Sequence, residues 1–341
     1  DRDLSVPNDV VKPGYTEKQI DPQLPNPFNE PEASYKDGGK RKFILRPRNT
    51  AKRFEETPSY SGMKTNIDRV VMTFSDNKHW FETVPEKDYT YVDRGDVQKY
   101  IERYITRNAA NDKVSILQGT LVEDVERIEK KNPLEGELPY QFRLTLRQPV
   151  NEEFEVWFQE TYDAVVVAIG HYFVPYYPDV KGLKEVQERA PQVIHHSKYF
   201  RDKNDYKGKH TIVVGSRASG ADLSKLLADT NENVYQSIRT DAIVKARTKK
   251  QNVQFKPVIQ EYQILSKENE PFSFKVIFSD GSEVHNPDYI VYATGYQWSF
   301  PFLNRYGQNV IGKEITKEGK IIQNLYQHSF LIDEPLLTFV G

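Results

Sequence analysis

Residues 208–224 combine glycine, serine and apolar side chains in an order that can bind a dinucleotide. A short apolar strand at residues 210–214 leads into a glycine turn at Gly215, and a helix is predicted to begin near Ser219. The N-terminus of a helix presents free N–H groups and a partial positive charge, both of which stabilise a pyrophosphate. The segment therefore predicts the strand–turn–helix opening of a dinucleotide-binding βαβ unit.

This loop departs from the usual G-x-G-x-x-G fingerprint at one position. Gly215 and Gly220 fill the outer glycine positions, whereas Arg217 stands where the middle glycine belongs. That glycine normally lets the backbone approach the pyrophosphate, so Arg217 would crowd the ligand unless its side chain turned outward. A degenerate fingerprint is a weak signal by itself, and the surrounding elements must support it.

The second strand of the unit, at residues 233–239, indicates which dinucleotide is preferred. An acidic residue at its end would bond the ribose 2′-OH of NAD, but this strand ends with Ser237, Arg239 and Thr240. A cation and hydroxyl groups suit a 2′-phosphate, which predicts a preference for NADPH. The sequence supports equally the alternative that Arg239 is an ordinary surface arginine.

Two apolar segments and one helix predict the fold around this loop. The helix at residues 219–228 has Leu223, Leu226 and Leu227 on its buried face. Residues 162–170 and 288–296 are apolar strands that end in small residues, as expected of strands buried in a parallel sheet. Ligands bind at the carboxyl edge of such sheets, so the sequence predicts an α/β fold with two dinucleotide-binding domains.

The other predicted elements are accessory strands, one further helix and an irregular beginning. Residues 1–60 are rich in proline and lack a period, so they are predicted to be irregular. A helix starting at Asp93 has one apolar face, which we expect to pack in the core and which is formed by Val97, Tyr100, Ile101, Tyr104 and Ile105. Short strands are predicted at residues 114–117, 119–128, 141–147 and 154–158, which together suggest a small antiparallel sheet. Further strands are predicted at residues 258–265 and 272–278, with a hairpin turn at 279–282.

Composition excludes several classes of function. The formal net charge is −2, which gives no electrostatic reason to expect nucleic acid as a partner. The sequence contains no cysteine, so it has no thiolate metal ligand, cysteine nucleophile or redox pair, and a thiol–disulfide reductase is excluded. No apolar run reaches the roughly 18 residues that a membrane span requires. At 341 residues, the chain can hold two domains.

Several motifs, in order along the chain, resemble those of the flavin-containing monooxygenases of the soluble fungal or yeast-like type. The resemblance covers about residues 60–341, and several motifs at suitable separations make it fairly specific. The motifs are Thr65-Asn66 followed by Met72-Thr-Phe-Ser-Asp76, Asp96-Val-Gln-Lys-Tyr-Ile101, Val166 to Tyr172, His196-Ser-Lys-Tyr-Phe200, Gly215 to Asp222, and Tyr292-Ala-Thr-Gly-Tyr296.

The resemblance implies an NADPH-binding domain inserted into an FAD-binding domain. On this interpretation residues 1–172 are a partial FAD domain, residues 173–331 are the NADPH domain, and residues 332–341 begin the return to the FAD domain. The chain departs from the family pattern at Ala190 and Gln192, where the family fingerprint has phenylalanine and glycine. It also has no equivalent of the family's FAD-binding G-x-G-x-x-G unit, so we expect it to be a fragment of a longer protein.

The resemblance further implies a reaction, two cofactors and a set of site residues. In the family NADPH reduces FAD, and a flavin C4a-hydroperoxide formed with O₂ oxygenates a soft nucleophile such as an amine nitrogen or a sulfur, thiols included. Asn66 would be the catalytic residue beside the flavin. The cofactor-binding residues would be Thr65, Asn66, Ile67, Val122, Gly170, Gly215, Ser216, Ser219, Gly220, Ala221, Asp222, Ser237, Arg239, Thr294 and Gly295.

Two hypotheses from different classes remain open. The first is an NADPH- and FAD-dependent monooxygenase with a small-molecule nucleophile and O₂ as its substrates, and the second is a nucleotide-binding module without catalysis of its own. His196 could be a catalytic base, but its position beside a linker favours a structural role. A cytoplasmic location, with association at the ER surface as an alternative, and a homodimer are further expectations.

Overall fold

The computed structural model describes residues 21–30, 36–37, 42–49, 57–77, 80, 90–110, 113–239, 250–267, 269–308, 312 and 314–341. These residues form two compact units. The first unit contains the described parts of Glu56–Ile116 and Tyr177–Thr294, and the second contains those of Tyr15–Glu55, Leu117–Tyr176 and Gly295–Gly341. The assignment of FAD and NADPH to separate domains stays a prediction.

The described part of the chain contains more strands than helices. The helices are α1 (Arg94–Ala109), α2 (Leu183–Arg189), α3 (Ala218–Leu227) and α4 (Asn304–Tyr306). The strands are β1 (Lys36–Asp37), β2 (Lys42–Pro47), β3 (Leu121–Glu129), β4 (Tyr140–Pro149), β5 (Phe154–Tyr162), β6 (Val165–Val167), β7 (Val174–Pro175), β8 (Ile194–His196), β9 (Thr211–Val214), β10 (Val234–Ser237), β11 (Val253–Lys256), β12 (Ile259–Ile264), β13 (Phe274–Phe278), β14 (Glu283–His285), β15 (Tyr289–Tyr292), β16 (Tyr296–Gln297), β17 (Thr316–Lys317), β18 (Ile321–Ile322), β19 (Leu325–Tyr326), β20 (Phe330–Leu331) and β21 (Leu337–Phe339). Within this described part, none of the helices combines the length and the apolar character needed to span a bilayer.

The first unit is built on a five-stranded sheet in the order β11-β10-β9-β15-β8, and every neighbouring pair in it is parallel. Ile212 and Val213 of β9 and Ile290 and Val291 of β15 are fully buried, as their central positions require. Helix α3 connects β9 to β10 and buries Leu223. The predicted α/β fold and the predicted buried strand near residues 288–296 are therefore confirmed.

A smaller antiparallel sheet, β12-β13-β14, also belongs to the first unit. The turn between β13 and β14 contains Gly281 with a φ of 80°. The carboxylate of Asp280 accepts hydrogen bonds from both the backbone N–H and the hydroxyl of Ser282. The predicted hairpin turn at residues 279–282 is thus correct, because aspartate and glycine satisfy the backbone that such a turn needs.

The helix predicted from Asp93 is present as α1, but its apolar face is only partly buried. Tyr100 is 4% exposed and stacks on Trp80 with ring centroids 4.3 Å apart, whereas Ile101 is 41% and Ile105 46% exposed. The prediction that the whole face belongs to the core was wrong for these two isoleucines. Helical spacing fixes which residues share a face, but the neighbouring elements fix how much of that face is covered.

The second unit contains a five-stranded antiparallel sheet in the order β1-β2-β5-β4-β3. This confirms the predicted small antiparallel sheet. Two predictions beside it were wrong: β2 is a strand inside the segment predicted to be irregular, and residues 114–117 form no strand and are exposed. Strand β2 escapes local pattern analysis because its partner β5 lies more than a hundred residues away.

The strand predicted across residues 162–170 is much shorter than expected. Strand β6 spans only Val165–Val167, pairs in parallel with β21, and ends the sheet β19-β20-β21-β6. Val166 is 62% exposed, so the expectation of burial on both faces was wrong. A continuous apolar run does not by itself say how many neighbours a strand has.

Candidate functional site

The predicted dinucleotide residues of the first unit lie along one edge of its parallel sheet. Because β8, β9, β10 and β15 all run in the same direction, their carboxyl ends share that edge. Gly215 follows β9, Ser237 ends β10, and Thr294 lies just beyond β15. The chain leaves β9 for β10 on one side and returns as β15 on the other, which makes the β9–β15 boundary a topological switch point, where α/β folds bind ligands.

Gly215 is held in a conformation and a space that only glycine fits. Its φ is 139°, and a Cβ on it would lie 2.4 Å from the carbonyl oxygen of Ala293. Its N–H donates to the Ser237 carbonyl at 3.0 Å, and its own carbonyl accepts from Nε2 of Gln236 at 3.0 Å. The turn is therefore anchored to β10 by two hydrogen bonds, which fixes the direction of the loop that follows.

Gly220 allows α3 to pack closely on this turn. A Cβ on Gly220 would lie 2.4 Å from the carbonyl oxygen of Gly215. This is the role of the third glycine of the dinucleotide fingerprint, which brings helix and strand together. Gly215 and Gly220 thus form a cradle that a larger residue at either position would fill.

The N-terminus of α3 is left open by the two residues between the turn and the helix, Ser216 and Arg217. Arg217 occupies the N-cap position and has an extended backbone, and its side chain makes no capping hydrogen bond. Arg217 and Ser219 are exposed, and Ser216 is half-buried. Arg217 stands at the position of the middle glycine, but its side chain is exposed. An anion can therefore still approach the N-terminus of α3.

Ala221 and Asp222, also predicted to contact the cofactor, are engaged with the protein itself. Ala221 is buried at 8% exposure. The Asp222 carboxylate accepts a hydrogen bond from the Tyr60 hydroxyl at 2.5 Å. Local sequence reasoning missed Tyr60, because a contact across 162 residues leaves no mark in spacing or periodicity.

Ser237 and Arg239 differ in their availability to a 2′-phosphate. Ser237 is 4% exposed, and its hydroxyl donates to the Pro257 carbonyl at 2.9 Å. Arg239 is exposed just beyond the end of β10, where a ligand at the sheet edge can be reached. Thr240 lies outside the described residues. Arg239 is therefore the stronger candidate of the pair.

Thr65 is fixed in the first unit, and Asn66 and Ile67 are exposed beside it. The Thr65 N–H donates to the Val92 carbonyl at 3.0 Å, and its hydroxyl oxygen accepts from the Val92 N–H at 3.2 Å. Asn66 is exposed, and Ile67 is 48% exposed. The two-way bond at Thr65 holds the backbone that presents the Asn66 amide, a group that can both donate and accept.

The remaining predicted site residues, Val122, Gly170 and Gly295, belong to the second unit. Val122 packs against that unit's core, and the Gly295 carbonyl accepts from the Tyr176 N–H at 2.9 Å. Gly170 follows β6 and helps to line a pocket of about 310 Å³, which we call the Gly170 pocket. Its other walls include Gly341 and the side chains of Trp298, Phe300, Phe339 and Lys320.

The Gly170 pocket lies at the carboxyl ends of the parallel strands β6 and β21. The Val340 N–H donates to the Val167 carbonyl at 2.9 Å, which extends the pairing to the pocket. Trp298 and Phe300 stack in its wall with ring centroids 5.8 Å apart. A pocket with aromatic walls and a glycine backbone on one side suits a flat ring system.

His195 and His196 are both buried, which bears on their use as bases. Burial lowers the pKa of His195 to about 4, and its Nδ1 lies 2.9 Å from the Tyr206 hydroxyl. His196 is fully buried, and its Nδ1 accepts from the Lys198 N–H at 3.1 Å. This arrangement caps the turn Ser197–Tyr199 and favours the structural role for His196.

Comparison with known proteins agrees with this geometry. The sequence profile described as "Pyridine nucleotide-disulphide oxidoreductase" matches residues 148–324, just over half of the chain. The "Thiol-specific monooxygenase" of Saccharomyces cerevisiae is 30% identical over 287 residues, which cover 82% of this chain and 59% of the yeast protein. The "Flavin-containing monooxygenase iboF" of Amanita muscaria is 28% identical over 311 residues, which cover 83% and 57%.

Solved structures show the same relationship. The S-allyl-L-cysteine S-oxygenase of Allium sativum is 25% identical and superposes with a TM-score of 0.61, covering 83% of this chain and 58% of that one. Tmm from Pelagibacter sp. strain HTCC7211 shares the fold at a TM-score of 0.63 and 22% identity, covering 83% of this chain and 56% of that one.

The chain spans 57% to 59% of the length of the first three curated relatives it matches. The family resemblance drawn from the motifs is confirmed, and with it FAD and NADPH as the cofactors of the family. The chain therefore belongs to the pyridine nucleotide-disulphide oxidoreductase family and, within it, to the flavin-containing monooxygenases.

Proposed function

We propose that the protein is an NADPH- and FAD-dependent monooxygenase that oxygenates soft sulfur or nitrogen nucleophiles. The observation that carries the proposal is the cradle at the switch point of the parallel sheet. There, a Cβ on either Gly215 or Gly220 would come within 2.4 Å of a backbone carbonyl oxygen. A loop built this tightly, with the open N-terminus of α3 beyond it, suits the pyrophosphate of a dinucleotide.

NADPH is assigned to the cradle of the first unit. The N–H groups at the start of α3 would receive the pyrophosphate, with the hydroxyls of Ser216 and Ser219 close to them in sequence. Arg239 would pair with the 2′-phosphate, since guanidinium groups bind phosphate oxygens in two parallel hydrogen bonds. Ser237 is given a secondary role at the 2′-phosphate, because its hydroxyl already donates a hydrogen bond to the Pro257 carbonyl.

FAD is assigned to the second unit, with its flat ring system at the Gly170 pocket. The glycine backbone and the aromatic walls at Trp298 and Phe300 fit such a ring. When bound, FAD supplies the chemistry of oxygen activation, and the proposal includes the C4a-hydroperoxide route that the family resemblance implies. The protein's part is to hold the cofactors, and the Asn66 amide of the first unit is the catalytic group that we propose on the family resemblance.

Sulfur compounds are the substrates that we propose to test first. The yeast relative is described as thiol-specific, and the Allium sativum relative as an S-oxygenase. Sulfur in thiols and thioethers is a soft nucleophile that needs no activation by a protein base. This agrees with the full burial of His196, the histidine that was considered as a base.

Flavin content and NADPH consumption test this function directly. The purified chain, supplied with FAD, is expected to retain flavin absorbance through gel filtration and to oxidise NADPH faster when a thiol or a tertiary amine is added. The rate without substrate is the control for wasteful oxidation. Retained flavin with no substrate-dependent NADPH consumption would contradict the proposed activity.

The second candidate function is a nucleotide-binding module without catalysis. It is favoured by the fact that the whole cradle, from Gly215 to Gly220, is built from the first unit alone. A chain that binds NADP⁺ but keeps no flavin absorbance would support the module over the monooxygenase. Measuring bound flavin and NADP⁺ affinity on the same preparation therefore separates the two functions.

Arg239→Ala tests the choice of cofactor. We expect the affinity for NADP⁺ to fall roughly tenfold, about 1.4 kcal/mol, while the affinity for NAD⁺ changes little, because only NADP⁺ carries the 2′-phosphate. Lys225→Ala is the matched control, since Lys225 is an exposed cation near the other end of α3. Equal losses for both dinucleotides, measured by titration calorimetry, would show that Arg239 is an ordinary surface residue.

The proposal also includes a cytoplasmic location and a homodimer. Cell fractionation tests the first and sedimentation velocity tests the second. A protein found mainly with ER membranes would favour the alternative location, and a single monomeric species across the concentration range would remove the dimer.

A further inference from the structure

The Tyr60–Asp222 hydrogen bond joins two parts of the first unit that have separate predicted roles. Tyr60 lies five residues before Thr65, and Asp222 lies on α3, the helix that follows the dinucleotide loop. The Tyr60 hydroxyl donates to Asp222 Oδ2 at 2.5 Å, and Tyr60 itself is 7% exposed. Hydrogen bonds to a carboxylate are stronger than those between neutral groups, so this contact is a firm link.

The residues around Tyr60 are packed onto the same helix. The Tyr60 ring meets Phe200 edge to face, with centroids 5.5 Å apart, and both belong to the core cluster that contains Leu223 and Leu227. A Cβ on Gly62 would lie only 3.6 Å from the Leu226 side chain. The segment that leads to Thr65 therefore rests directly on α3.

The Asp222 carboxylate would repel a pyrophosphate bound at the N-terminus of α3, and its hydrogen bond from the Tyr60 hydroxyl reduces this repulsion. Asp222 is the fifth residue of α3, so its carboxylate is attached about 6 Å along the axis from the first residue, beside the end that would receive a pyrophosphate. Two negative charges at this separation repel each other appreciably at a protein surface. A carboxylate that accepts a hydrogen bond from Tyr60 is held on the flank of the helix, and part of its charge is shared with the donor.

We propose that Tyr60 is a positioning residue that couples dinucleotide binding at α3 to the segment bearing Thr65 and Asn66. This inference rests on the proposed function, because it takes the N-terminus of α3 as the pyrophosphate site. Tyr60 acts in two ways. It restrains Asp222 so that the helix end accepts an anion, and it transmits the ordering of α3 to the backbone that presents Asn66.

A double-mutant cycle on the full chain tests the first part. Tyr60→Phe keeps the ring and removes only the hydroxyl, and we expect it to weaken NADP⁺ binding about five- to tenfold. In the Asp222→Asn background, the same change is expected to alter the affinity by less than about twofold, because there is no charge left to restrain. The ratio of the Tyr60→Phe and wild-type dissociation constants should also shrink between about 50 mM and about 500 mM NaCl, as screening removes the repulsion.

Tyr206→Phe is the matched control. Tyr206 lies in the same core cluster and stacks on Phe200, but its hydroxyl faces His195 rather than α3. A purely structural role for Tyr60 would make the two tyrosine variants alike. Each would then change NADP⁺ affinity equally in the wild-type and Asp222→Asn backgrounds, with no dependence on salt. That outcome would overturn the inference.

Hydrogen exchange tests the coupling to Asn66 without relying on activity. We expect NADP⁺ to slow amide exchange across residues 61–66 in the wild type, and Tyr60→Phe to lose this protection while the first turn of α3 keeps its own. Equal protection in both proteins would overturn the coupling. A wild-type protein that does not bind NADP⁺ would contradict the proposed function itself. Normal NADP⁺ binding by the wild type, with the same affinity and exchange protection in Tyr60→Phe, would contradict only the role of Tyr60.

Discussion

Replacing Gly215 by alanine is expected to remove most of the dinucleotide affinity of the chain. A side chain at φ 139° is strained, and the new Cβ would lie 2.4 Å from the Ala293 carbonyl oxygen, which belongs to backbone and cannot turn aside. Strain of this kind costs about 1–3 kcal/mol, before any displacement of the loop is counted. The affinity for NADP⁺ is expected to fall at least about tenfold, since each 1.4 kcal/mol is one factor of ten.

Two other glycines separate the causes of this loss. Gly281 also has a positive φ, 80°, but open space where its Cβ would lie, so Gly281→Ala should lower stability and leave NADP⁺ affinity unchanged. Gly220 lies within α3, and its Cβ would meet the Gly215 carbonyl oxygen at 2.4 Å. Gly220→Ala should therefore reduce affinity by displacing the helix end from the loop.

Titration calorimetry with NADP⁺, together with circular dichroism to confirm folding, measures all three variants. A folded Gly215→Ala protein with wild-type affinity would show that the cradle is not the dinucleotide site. A loss of the same size in Gly281→Ala would instead attribute the effect to general destabilisation of the unit.

The sequence predicts the centre of the first unit well because the relevant signals are local. A strand, a glycine turn and an amphipathic helix follow one another within residues 208–228, and each is specified by its own residue types. Gly215 and Gly220 were predicted on that basis, and the structure gives each a steric reason. Fold class follows from the same short-range information.

Features that depend on distant partners could not be predicted in this way. The Tyr60–Asp222 bond and the β2–β5 pairing join residues more than a hundred positions apart. The apolar run around β6 predicted a strand buried on both faces, yet Val166 is exposed because burial depends on which elements cover a strand. Likewise, Ser237 suited a phosphate by type, while its actual partner, the Pro257 carbonyl, is set by the tertiary fold.

A buried ion cluster in the second unit illustrates the same limit and underlies the largest expected effect on stability. Arg147, Glu123 and Glu155 lie on neighbouring strands of the antiparallel sheet and are 3%, 3% and 2% exposed. Arg147 donates through Nε to Glu123 at 2.9 Å and through Nη1 to Glu155 at 2.8 Å. Glu155 also accepts from the indole N–H of Trp157 at 2.8 Å. One guanidinium therefore serves two buried carboxylates.

Arg147→Met is expected to lower the free energy of unfolding by about 3–5 kcal/mol, because it leaves two like charges buried without their cation. Arg143→Met on the same strand is the matched control. Arg143 binds Glu126 through two nitrogens, but both side chains are about one-third exposed, so solvent should limit the cost to about 1 kcal/mol. Urea unfolding at pH 7 measures both values, and adding Glu123→Gln and Glu155→Gln to Arg147→Met should restore part of the loss by removing the stranded charges. Equal losses of unfolding free energy in Arg147→Met and Arg143→Met would mean that burial adds nothing to the strength of this ion cluster. A much larger loss in Arg147→Met, reduced by the two glutamine substitutions, would show that the unpaired carboxylates cause it rather than the lost packing of the arginine side chain.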